Sequence, residues 1–393
     1  MVSSKGGKNI RLLHMIHSPQ RRGAEVFATQ LARALEHDQF ESTMCSLYRA
    51  SHHDGLFTEL ADSFPLGAQQ RGLRAKLGLQ HTLLKLTDLL KRTDPNIVVA
   101  HGADTLKYAA FVRLFGHSPI TIYRNIGMAG SWATSPWKTW GTRALLRGID
   151  TVVSVSQATR EDFIRVYGLS PGKIVTIPNG CDARPYQEPS AERNEMRRDL
   201  QMGEELAVLI AVGSLSPEKN HSQLLSLMAH LHGRRLASQL LLAGDGPLRA
   251  RLEQQAHDLQ VRQFVRFLGV REDVPWLLKA ADILLLPSKT EGMPAVLIEA
   301  GLAGLPCVAY NVGGVREVVE PGVTGLLVSP GDSAGFEAAV VSLLEDRTKR
   351  QELGASARQR CLEHFSMDRV AKQYGELFLR LLKERERLGD GPT

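Results

Sequence analysis

At 393 residues the chain is too long for one ordinary hydrophobic core and suits two domains. Its 43% hydrophobic and 23% charged residues, with glycine and proline spread along the chain, exclude collagen-like and disordered proteins. The net charge of +6 is uneven, because residues 1–186 carry 23 Lys and Arg against 14 Asp and Glu, whereas residues 187–393 carry 25 against 28. A basic first half suits an anionic substrate, an anionic membrane surface or nucleic acid.

The first half repeats one pattern of a short β-branched run, a turn and a helical segment. Its predicted strands are Ile10–His17, Thr43–Leu47, Ile97–His101, Ile120–Arg124, Thr151–Ser154 and Ile174–Ile177. The predicted helices are Ala24–Glu36, Leu73–Lys91, Leu106–Phe115 and Gln157–Tyr167. The strands are continuous apolar runs, which is typical of a parallel sheet that helices cover on both faces.

The same pattern starts again after a polar stretch, Arg184–Arg198. Here the predicted strands are Ala207–Val212, Gln239–Ala243, Val265–Leu268, Ile283–Leu286, Cys307–Ala309 and Gly325–Val328. The predicted helices are Lys219–His232, Pro247–Leu259, Val274–Ala280, Pro294–Ala303 and Ala334–Glu345. The tail, Ser366–Arg387, is predicted to form an amphipathic helix that packs back on the first domain.

Two consecutive sets of βα units predict an α/β protein with two doubly wound, Rossmann-like domains. We place the N-terminal domain at residues 9–186, joined by the C-terminal helix 370–388, and the C-terminal domain at residues 187–369. Ligands of such domains bind at the carboxyl ends of the strands. We therefore expect the site in a central cleft where the two strand edges meet.

The cysteines and the apolar runs bear on the cellular compartment. The four cysteines lie far apart and form no C-x-x-C pair, which predicts buried free thiols. The best apolar run, Leu206–Val212, is strand-sized, and Lys5, Lys8 and Arg11 interrupt any signal-peptide core. We expect a cytoplasmic protein.

Several common signatures are absent. The sequence has no P-loop, no H-E-x-x-H and no G-x-S-x-G. Arg249 replaces the third glycine of a dinucleotide fingerprint that would begin at Gly244. No D-x-D pair is present to hold a divalent cation against a diphosphate. We therefore expect no metal and no cofactor.

The strongest constellation is the segment Glu291–Glu299. It follows a predicted buried strand and runs through a glycine-containing loop into a helix, whose first residue is predicted to be Pro294. The amides and the dipole at the start of a helix favour a phosphate. A carboxylate just ahead of that anion site, Glu291, is suited to accept hydrogen bonds from sugar hydroxyls. The alternative is that Glu291 only serves the helix terminus and Glu299 is solvated.

Glu291 and Glu299 match the E-x7-E motif of the retaining, family-4-type glycosyltransferases of GT-B fold, and nearly the whole chain resembles this family. Matching segments are Val212–Asn220 for the GRL-x-x-EKN loop, Ala243–Leu248 for the GDGP turn, Pro178–Asp182 for PNG-x-D, Gly23–Glu25 for GGAE and Gly313–Glu317 for GG-x-x-E. Each match is weak alone. In this order the set is highly specific.

The resemblance implies roles for individual residues. Glu299 would bind the nucleotide ribose, and Glu291 with the amides of Gly292 and Met293 would hold the hydroxyls of the donor sugar. Lys219 would neutralise the diphosphate of the leaving nucleotide, since a cation and a helix dipole must stabilise that charge where no metal does. Pro294 belongs to the same donor-binding segment.

Other positions of the family pattern are less regular here. Ser214 stands where the family usually has Arg, so a bidentate phosphate donor is lost. Arg22 replaces the first glycine ahead of Gly23, and with Arg21 it offers a compensating cation. His101 ends a predicted strand where the family often has a His beside the donor sugar. Without the family match it is a structural histidine.

Arg124 also ends a predicted strand, where it would meet an anionic acceptor or the diphosphate. The alternative is a pair with a neighbouring carboxylate. Gly127–Thr139 is expected to be a loop that varies with the acceptor. The basic residues Arg71, Arg74, Lys76, Lys85, Lys91 and Arg92 form either a solvated face or a contact with an anionic membrane. Nucleic acid is disfavoured, because no stacking aromatics lie between these charges.

The resemblance thus implies a retaining, metal-independent glycosyltransferase that uses a UDP- or GDP-sugar and acts on a glycan or lipid-linked glycan. The N-terminal domain would be the acceptor side, and the C-terminal domain would bind the donor. Two alternatives remain open at this point: a non-catalytic protein that binds sugar nucleotides, and an NAD(P)-dependent oxidoreductase.

Overall fold

The structure is a computed structural model that describes residues 9–20, 22–36, 39–48, 63–66, 74–112, 119–187, 191–203 and 206–389. The side chains of residues 63, 65, 74–80, 191 and 192 are also left out of the description. Arg21, Arg71 and the side chains of Arg74 and Lys76 therefore lie outside the described part, as does the predicted helix end at Phe115.

The chain forms two compact units. Unit 1 comprises Met1–Gly180 and Met367–Thr393. Its strands are β1 (Ile10–Ile16), β2 (Phe40–Ser46), β3 (Ser63–Pro65), β4 (Ile97–His101), β5 (Ile120–Asn125), β6 (Thr151–Ser154) and β7 (Ile174–Thr176). Its helices are α1 (Gly23–Leu35), α2 (Arg74–Thr93), α3 (Ala103–Phe111), α4 (Pro136–Arg147), α5 (Gln157–Tyr167) and, at the chain end, α14 (Met367–Arg387).

Unit 2 comprises Cys181–Ser366. Its strands are β8 (Ala207–Val212), β9 (Ser238–Ala243), β10 (Val265–Gly269), β11 (Ile283–Leu286), β12 (Cys307–Tyr310) and β13 (Leu326–Val328). Its helices are α6 (Ala191–Asp199), α7 (His221–Gly233), α8 (Arg249–Asp258), α9 (Val274–Ala280), α10 (Ala295–Leu302), α11 (Val315–Val318), α12 (Ser333–Glu345) and α13 (Arg347–Phe365).

Both sheets are parallel, and in each sheet the order of the strands reverses once. In the described residues the first sheet has the order β3-β2-β1-β4-β5-β6-β7 and the second has β10-β9-β8-β11-β12-β13. The order reverses between β1 and β4 and again between β8 and β11. This is the doubly wound arrangement, so the predicted α/β class with two doubly wound domains is confirmed.

The C-terminal helix returns to the first unit, as predicted. Val370, Tyr374 and Phe378 on α14 are buried and share a hydrophobic cluster with Phe27 and Leu31 of α1. The apolar positions recur every three or four residues, so one stripe of the helix faces this core while charged residues face solvent. The cysteines Cys45, Cys181, Cys307 and Cys361 are free and buried, as predicted.

The structure divides the chain a few residues away from the predicted boundaries. The predicted limits are residues 186 and 369, whereas the units separate after Gly180 and after Ser366. Cys181 donates its backbone N–H to the carbonyl of Phe365 at 3.0 Å and pairs with Ser366 in a β-bridge. These backbone contacts attach Cys181 to unit 2.

Two segments contain helices that polarity alone did not reveal. The stretch Arg184–Arg198, taken above as a polar break, includes most of α6, where the buried Arg197 donates to the carbonyl of Ala280 and pairs with Asp282 at 2.8 Å. The prediction of a loop over Gly127–Thr139 is wrong for its last four residues, because helix α4 begins at Pro136, with Ser135 as its N-cap. The sequence analysis also missed β3, α11 and α13.

Candidate active site

The reversal of strand order in unit 2 brings two loops together. β8 and β11 pair directly, and the crevice beyond the carboxyl ends of such a strand pair is where ligands of doubly wound sheets bind. The loop after β8 carries Lys219, and the loop after β11 carries Glu291. The amide of Lys289 donates to the carbonyl of Glu218 at 2.8 Å, so the two loops are joined by their backbones.

Lys219 and Glu291 form an ion pair although they lie 72 positions apart in the sequence. Lys219 Nζ is 2.6 Å from Glu291 Oε1, and the side chains are 24% and 10% exposed. The pair is therefore largely, but not completely, shielded from bulk water. A cation beside a carboxylate is suited to a ligand that carries both an anionic group and hydroxyls.

The backbone of Glu291 rests on the loop Gly313–Gly314. Gly313 has a φ of +51°, and a Cβ built there would lie 1.7 Å from the carbonyl oxygen of Glu291. The amide of Gly314 donates to the carbonyl of Gly292 at 2.9 Å. A glycine is required at position 313 because the loop that holds the carboxylate approaches too closely there for any side chain.

We expect Gly313→Ala to lower the free energy of unfolding by roughly 3 kcal/mol or more, because strain at positive φ adds to a backbone clash. Gly322→Ala is the matched control, since Gly322 also has a positive φ, +77°, but no atom within 4 Å of a built Cβ. That control should lose only about 1–2 kcal/mol. Urea denaturation measures both, and equal losses would contradict the contact with Glu291.

The glycines of the Ala243–Leu248 turn support the loop after β8. A Cβ at Gly244 would lie 1.9 Å from the carbonyl oxygen of Gly213, and the amide of Leu215 donates to the carbonyl of Asp245 at 3.0 Å. Ser214 lies between these contacts and is exposed. The serine thus occupies an open position of the Lys219 loop, where a larger side chain has room.

Helix α10 starts directly after the Glu291 loop. Pro294 is its N-cap, so the helix begins one residue later than predicted, at Ala295. Gly292, Met293 and Pro294 are buried ahead of it. The positive end of the helix dipole is consequently directed at the segment that also holds Glu291.

Glu299 lies one turn into α10 and is largely removed from water. Burial raises the pKa of its carboxyl to about 7, because a charge is poorly solvated there. A built Cβ at Gly301 would lie 2.3 Å from Cys361 Sγ, so α10 packs closely on α13. Glu299 is therefore partly buried, which does not favour the interpretation of it as a fully solvated residue of the helix surface.

Two further side chains of unit 2 share the surroundings of Glu299. Cys181 and Tyr186 are buried, and burial followed by the charge of Glu299 raises the pKa of both. Neither residue has a role predicted from the sequence. The only sequence signal for such a role was that Cys181 lies inside the Pro178–Asp182 segment, which resembles the PNG-x-D segment of the family.

In unit 1 the buried histidines His14 and His101 are in contact. His14 Nδ1 lies 3.2 Å from His101 Nε2, across the strand reversal between β1 and β4. Burial lowers the pKa of His14 to about 4 and, together with the charge of Arg124 and His14, lowers that of His101 well below its usual range. Both rings are therefore neutral near pH 7. The sequence analysis gave His14 no role.

Arg124 lies beside His101 in the register of β4 and β5 and is fully buried. Its guanidinium stacks 3.6 Å from the centroid of the Phe27 ring, and Nη2 donates to Asn179 Oδ1. Burial lowers its pKa, and the hydroxyl of Tyr374 and the charge of Glu25 oppose that effect. Gly23, by contrast, is exposed at the first position of α1.

The predicted residues thus form one group in each unit. Lys219, Glu291 and the start of α10 lie together in unit 2, and His101 lies with Arg124 in unit 1. Among the described residues, no three His, Cys, Asp or Glu side chains are grouped as metal ligands. None of the described helices combines the length and apolar character needed to cross a bilayer.

Two protein families match the chain, one in each half. Glycosyltransferase Family 4 matches residues 21–184, and Glycosyl transferases group 1 matches residues 192–360. A GDP-mannose-dependent alpha-(1-6)-phosphatidylinositol monomannoside mannosyltransferase of Mycobacterium tuberculosis is 30% identical over 302 residues, which cover 72% of this chain and 77% of that protein. The chain belongs to the family-4-type glycosyltransferases.

Other proteins are similar over different lengths. An N-acetyl-alpha-D-glucosaminyl L-malate synthase of Bacillus anthracis is 29% identical over 60% of this chain, and the match spans 61% of that protein. The crystal structure of Anabaena HepE in complex with UDP and glucose has a TM-score of 0.84 at 23% identity, over 95% of this chain and 100% of that one. That likeness shows the same fold. Membership of the family removes the oxidoreductase alternative.

Proposed function

We propose that this glycosyltransferase moves a sugar from a UDP- or GDP-sugar to a hydroxyl of a glycan or lipid-linked glycan, with retention at the anomeric carbon and without a metal. The observation that carries the proposal is the 2.6 Å ion pair of Lys219 and Glu291 at the strand reversal of unit 2. Relatives that use GDP-mannose, and a similar fold that holds UDP-glucose, support the donor class.

Each side of the ion pair is assigned to one part of the donor. Without donor, Lys219 and Glu291 neutralise each other. When the donor is bound, Lys219 and the start of α10 bind the diphosphate and neutralise its charge. The Glu291 carboxylate, released from Lys219, then accepts hydrogen bonds from the sugar hydroxyls. Glu299 accepts hydrogen bonds from the ribose. Gly292 and Met293 contribute backbone amides to the sugar.

The leaving group carries the chemical argument. When the bond from the anomeric carbon to the diphosphate oxygen breaks, negative charge develops on that oxygen, and Lys219 with the helix dipole stabilises it in a shielded site. The acceptor oxygen forms its bond to the same face of the sugar, and its proton passes to the departing diphosphate oxygen. Such a route needs no protein nucleophile.

Unit 1 is assigned to the acceptor. His101 is neutral near pH 7, so it serves as a hydrogen-bonding group for the sugar or the acceptor and not as a cation. Arg124 is held on Phe27 and Asn179, which favours a supporting role behind His101 over direct contact with a phosphate. Gly23, at the first position of α1, and Ser214, in the loop after β8, are both exposed, and we keep both as donor-side positions.

A donor panel tests the proposal. A nucleotide sugar that binds only the folded protein raises its melting temperature, so UDP- and GDP-sugars are screened by thermal shift and the best is then tested for release of nucleotide. We expect release with glycan acceptors, an unchanged anomeric configuration by NMR, and activity that survives EDTA. Binding without release would favour the non-catalytic alternative. Loss in EDTA that Mn²⁺ restores would overturn the metal-free mechanism.

A further inference from the structure

Helix α4 exposes two tryptophans that no part of the described chain covers. Of its 12 residues only Leu146 is buried. Trp137 is 83% exposed and Trp140 is 69% exposed, and no other aromatic ranks among the exposed large hydrophobic residues of the described part. Exposing two indoles on one helical turn is unfavourable in water, which indicates that this face binds something.

The tryptophans border an open depression. It has a volume of about 650 Å³ and also includes Thr134, Pro136 and Arg143. Ser135 caps the helix by accepting from the amide of Lys138, so the aromatic turn is held at a fixed N-terminus. The rings are therefore presented by regular secondary structure.

Only one sign of charge surrounds the two rings in the sequence. Residues 126–149 contain Lys138, Arg143 and Arg147 but no Asp or Glu, and all three basic residues are exposed. Lys138 Nζ donates to Thr134 Oγ1 at 3.2 Å, and Arg143 Nη2 donates to the carbonyl of Val166 at 3.1 Å. None of the three pairs with a carboxylate of the described residues.

We propose that α4 binds the surface of an anionic membrane. Trp137 and Trp140 enter the headgroup region, where an indole keeps its N–H in a polar layer and its ring among acyl chains, and Lys138, Arg143 and Arg147 contact lipid phosphates. A neutral soluble glycan would use the rings but gains nothing from three cations that have no carboxylate partner among the described residues. The proposal rests on the proposed function in one respect, since a lipid-linked acceptor gives membrane binding its use.

The basic face of α2 was predicted from the sequence as an alternative site of membrane contact. The described part of this helix is less suited to bind anionic lipids than α4 is. Arg92 pairs with Asp88 at 2.9 Å and also lies 5.3 Å from the centroid of the Phe64 ring. Its charge is thus already compensated. Leu84 is 69% exposed on the same helix, so α2 supplies matched control positions.

Vesicle sedimentation with the full chain tests the surface. The probes are vesicles of phosphatidylcholine alone and of phosphatidylcholine with phosphatidylglycerol. Trp137→Ser with Trp140→Ser removes the rings, and Lys138→Gln with Arg147→Gln removes two charges. The controls on α2 are Leu84→Ser and Lys91→Gln with Arg92→Gln. Thermal shift with a nucleotide sugar serves as a separate readout of donor binding.

We expect the unmodified protein to prefer the anionic vesicles by about tenfold or more. Loss of the two charges should weaken that binding about 30-fold, and loss of the rings by about tenfold, while the α2 variants keep it. Donor binding should be the same in all variants, so failure of the proposed donor function would show in the thermal shift and leave vesicle binding intact.

Four results would overturn the proposal. These are no preference for anionic vesicles, full binding by the tryptophan variant, loss of binding in the α2 variants only, or protection of the tryptophan fluorescence by a soluble glycan acceptor without vesicle binding. Self-association that the tryptophan variant abolishes, in a protein that does not bind vesicles, would assign α4 to a second copy of the chain instead.

Discussion

Lys219→Ala is expected to lower kcat for sugar transfer by about 100- to 1,000-fold while the protein remains folded. The substitution removes the cation assigned to the leaving diphosphate. Because that charge develops mainly in the transition state, kcat should fall more than the affinity for the donor. Steady-state kinetics with the donor chosen by thermal shift measure both quantities.

The matched control is Lys289→Ala. Lys289 is exposed in the loop of Glu291, and its contact with Glu218 is made by the backbone amide, which alanine keeps. We expect this variant to retain normal kcat. Near-normal turnover in folded Lys219→Ala would contradict the role of Lys219 in stabilising the leaving group. An equal loss of kcat in both variants would show that the loss comes from positive charge in general and not from Lys219 itself.

Glu299→Gln is expected to weaken donor binding by about tenfold to 100-fold, because a neutral amide replaces a charged acceptor for the ribose hydroxyls. The same change should stabilise the unliganded protein at alkaline pH. The buried carboxyl has a pKa of about 7, above its ordinary 4.5, so the folded state binds more protons than the unfolded state between these values. Stability contributed by the protonated form is consequently lost as the pH rises through this window.

The stabilisation by Glu299→Gln should be near zero at pH 4.5 and reach about 2–3 kcal/mol at pH 8. Urea denaturation across this range measures it, and isothermal titration with the nucleoside diphosphate measures the affinity. Glu352→Gln, at an exposed position of the same unit, should change neither quantity. A pH-independent difference would show that Glu299 is not buried as described. Unchanged affinity would remove it from the donor site.

Most of the fold could be predicted from the sequence, because most of its strands and helices carry a local signal. The strands β4, β6, β8 and β11 match their predicted limits, since each is an apolar run ended by a turn. Helix α4 was missed, and of its 12 residues only Leu146 is buried, so its apolar residues do not mark a face that packs on the core. Strand β3 is only three residues long, and α6 is polar, being fixed by arginine contacts to Ala280 and Asp282.

Only part of the candidate site could be predicted from the sequence. Glu291 and Lys219 were identified by their local segments, but the contact of His14 with His101 and the environment that Cys181, Tyr186 and Glu299 share carry no local signal. These groups come from strands and helices far apart in the chain. Their contacts depend on strand order and helix packing, which periodicity does not encode.

The sequence by itself determined the alternation of strands and helices, the glycines of tight loops and the residues at the carboxyl ends of the strands, where ligands bind. These features follow from backbone sterics and from apolar periodicity over a few residues. Only the tertiary structure decided that Lys219 meets Glu291, that Glu299 has a raised pKa, and that Trp137 and Trp140 face solvent. Ion pairing and desolvation depend on what surrounds a group in space, and those surroundings exist only once the chain has folded.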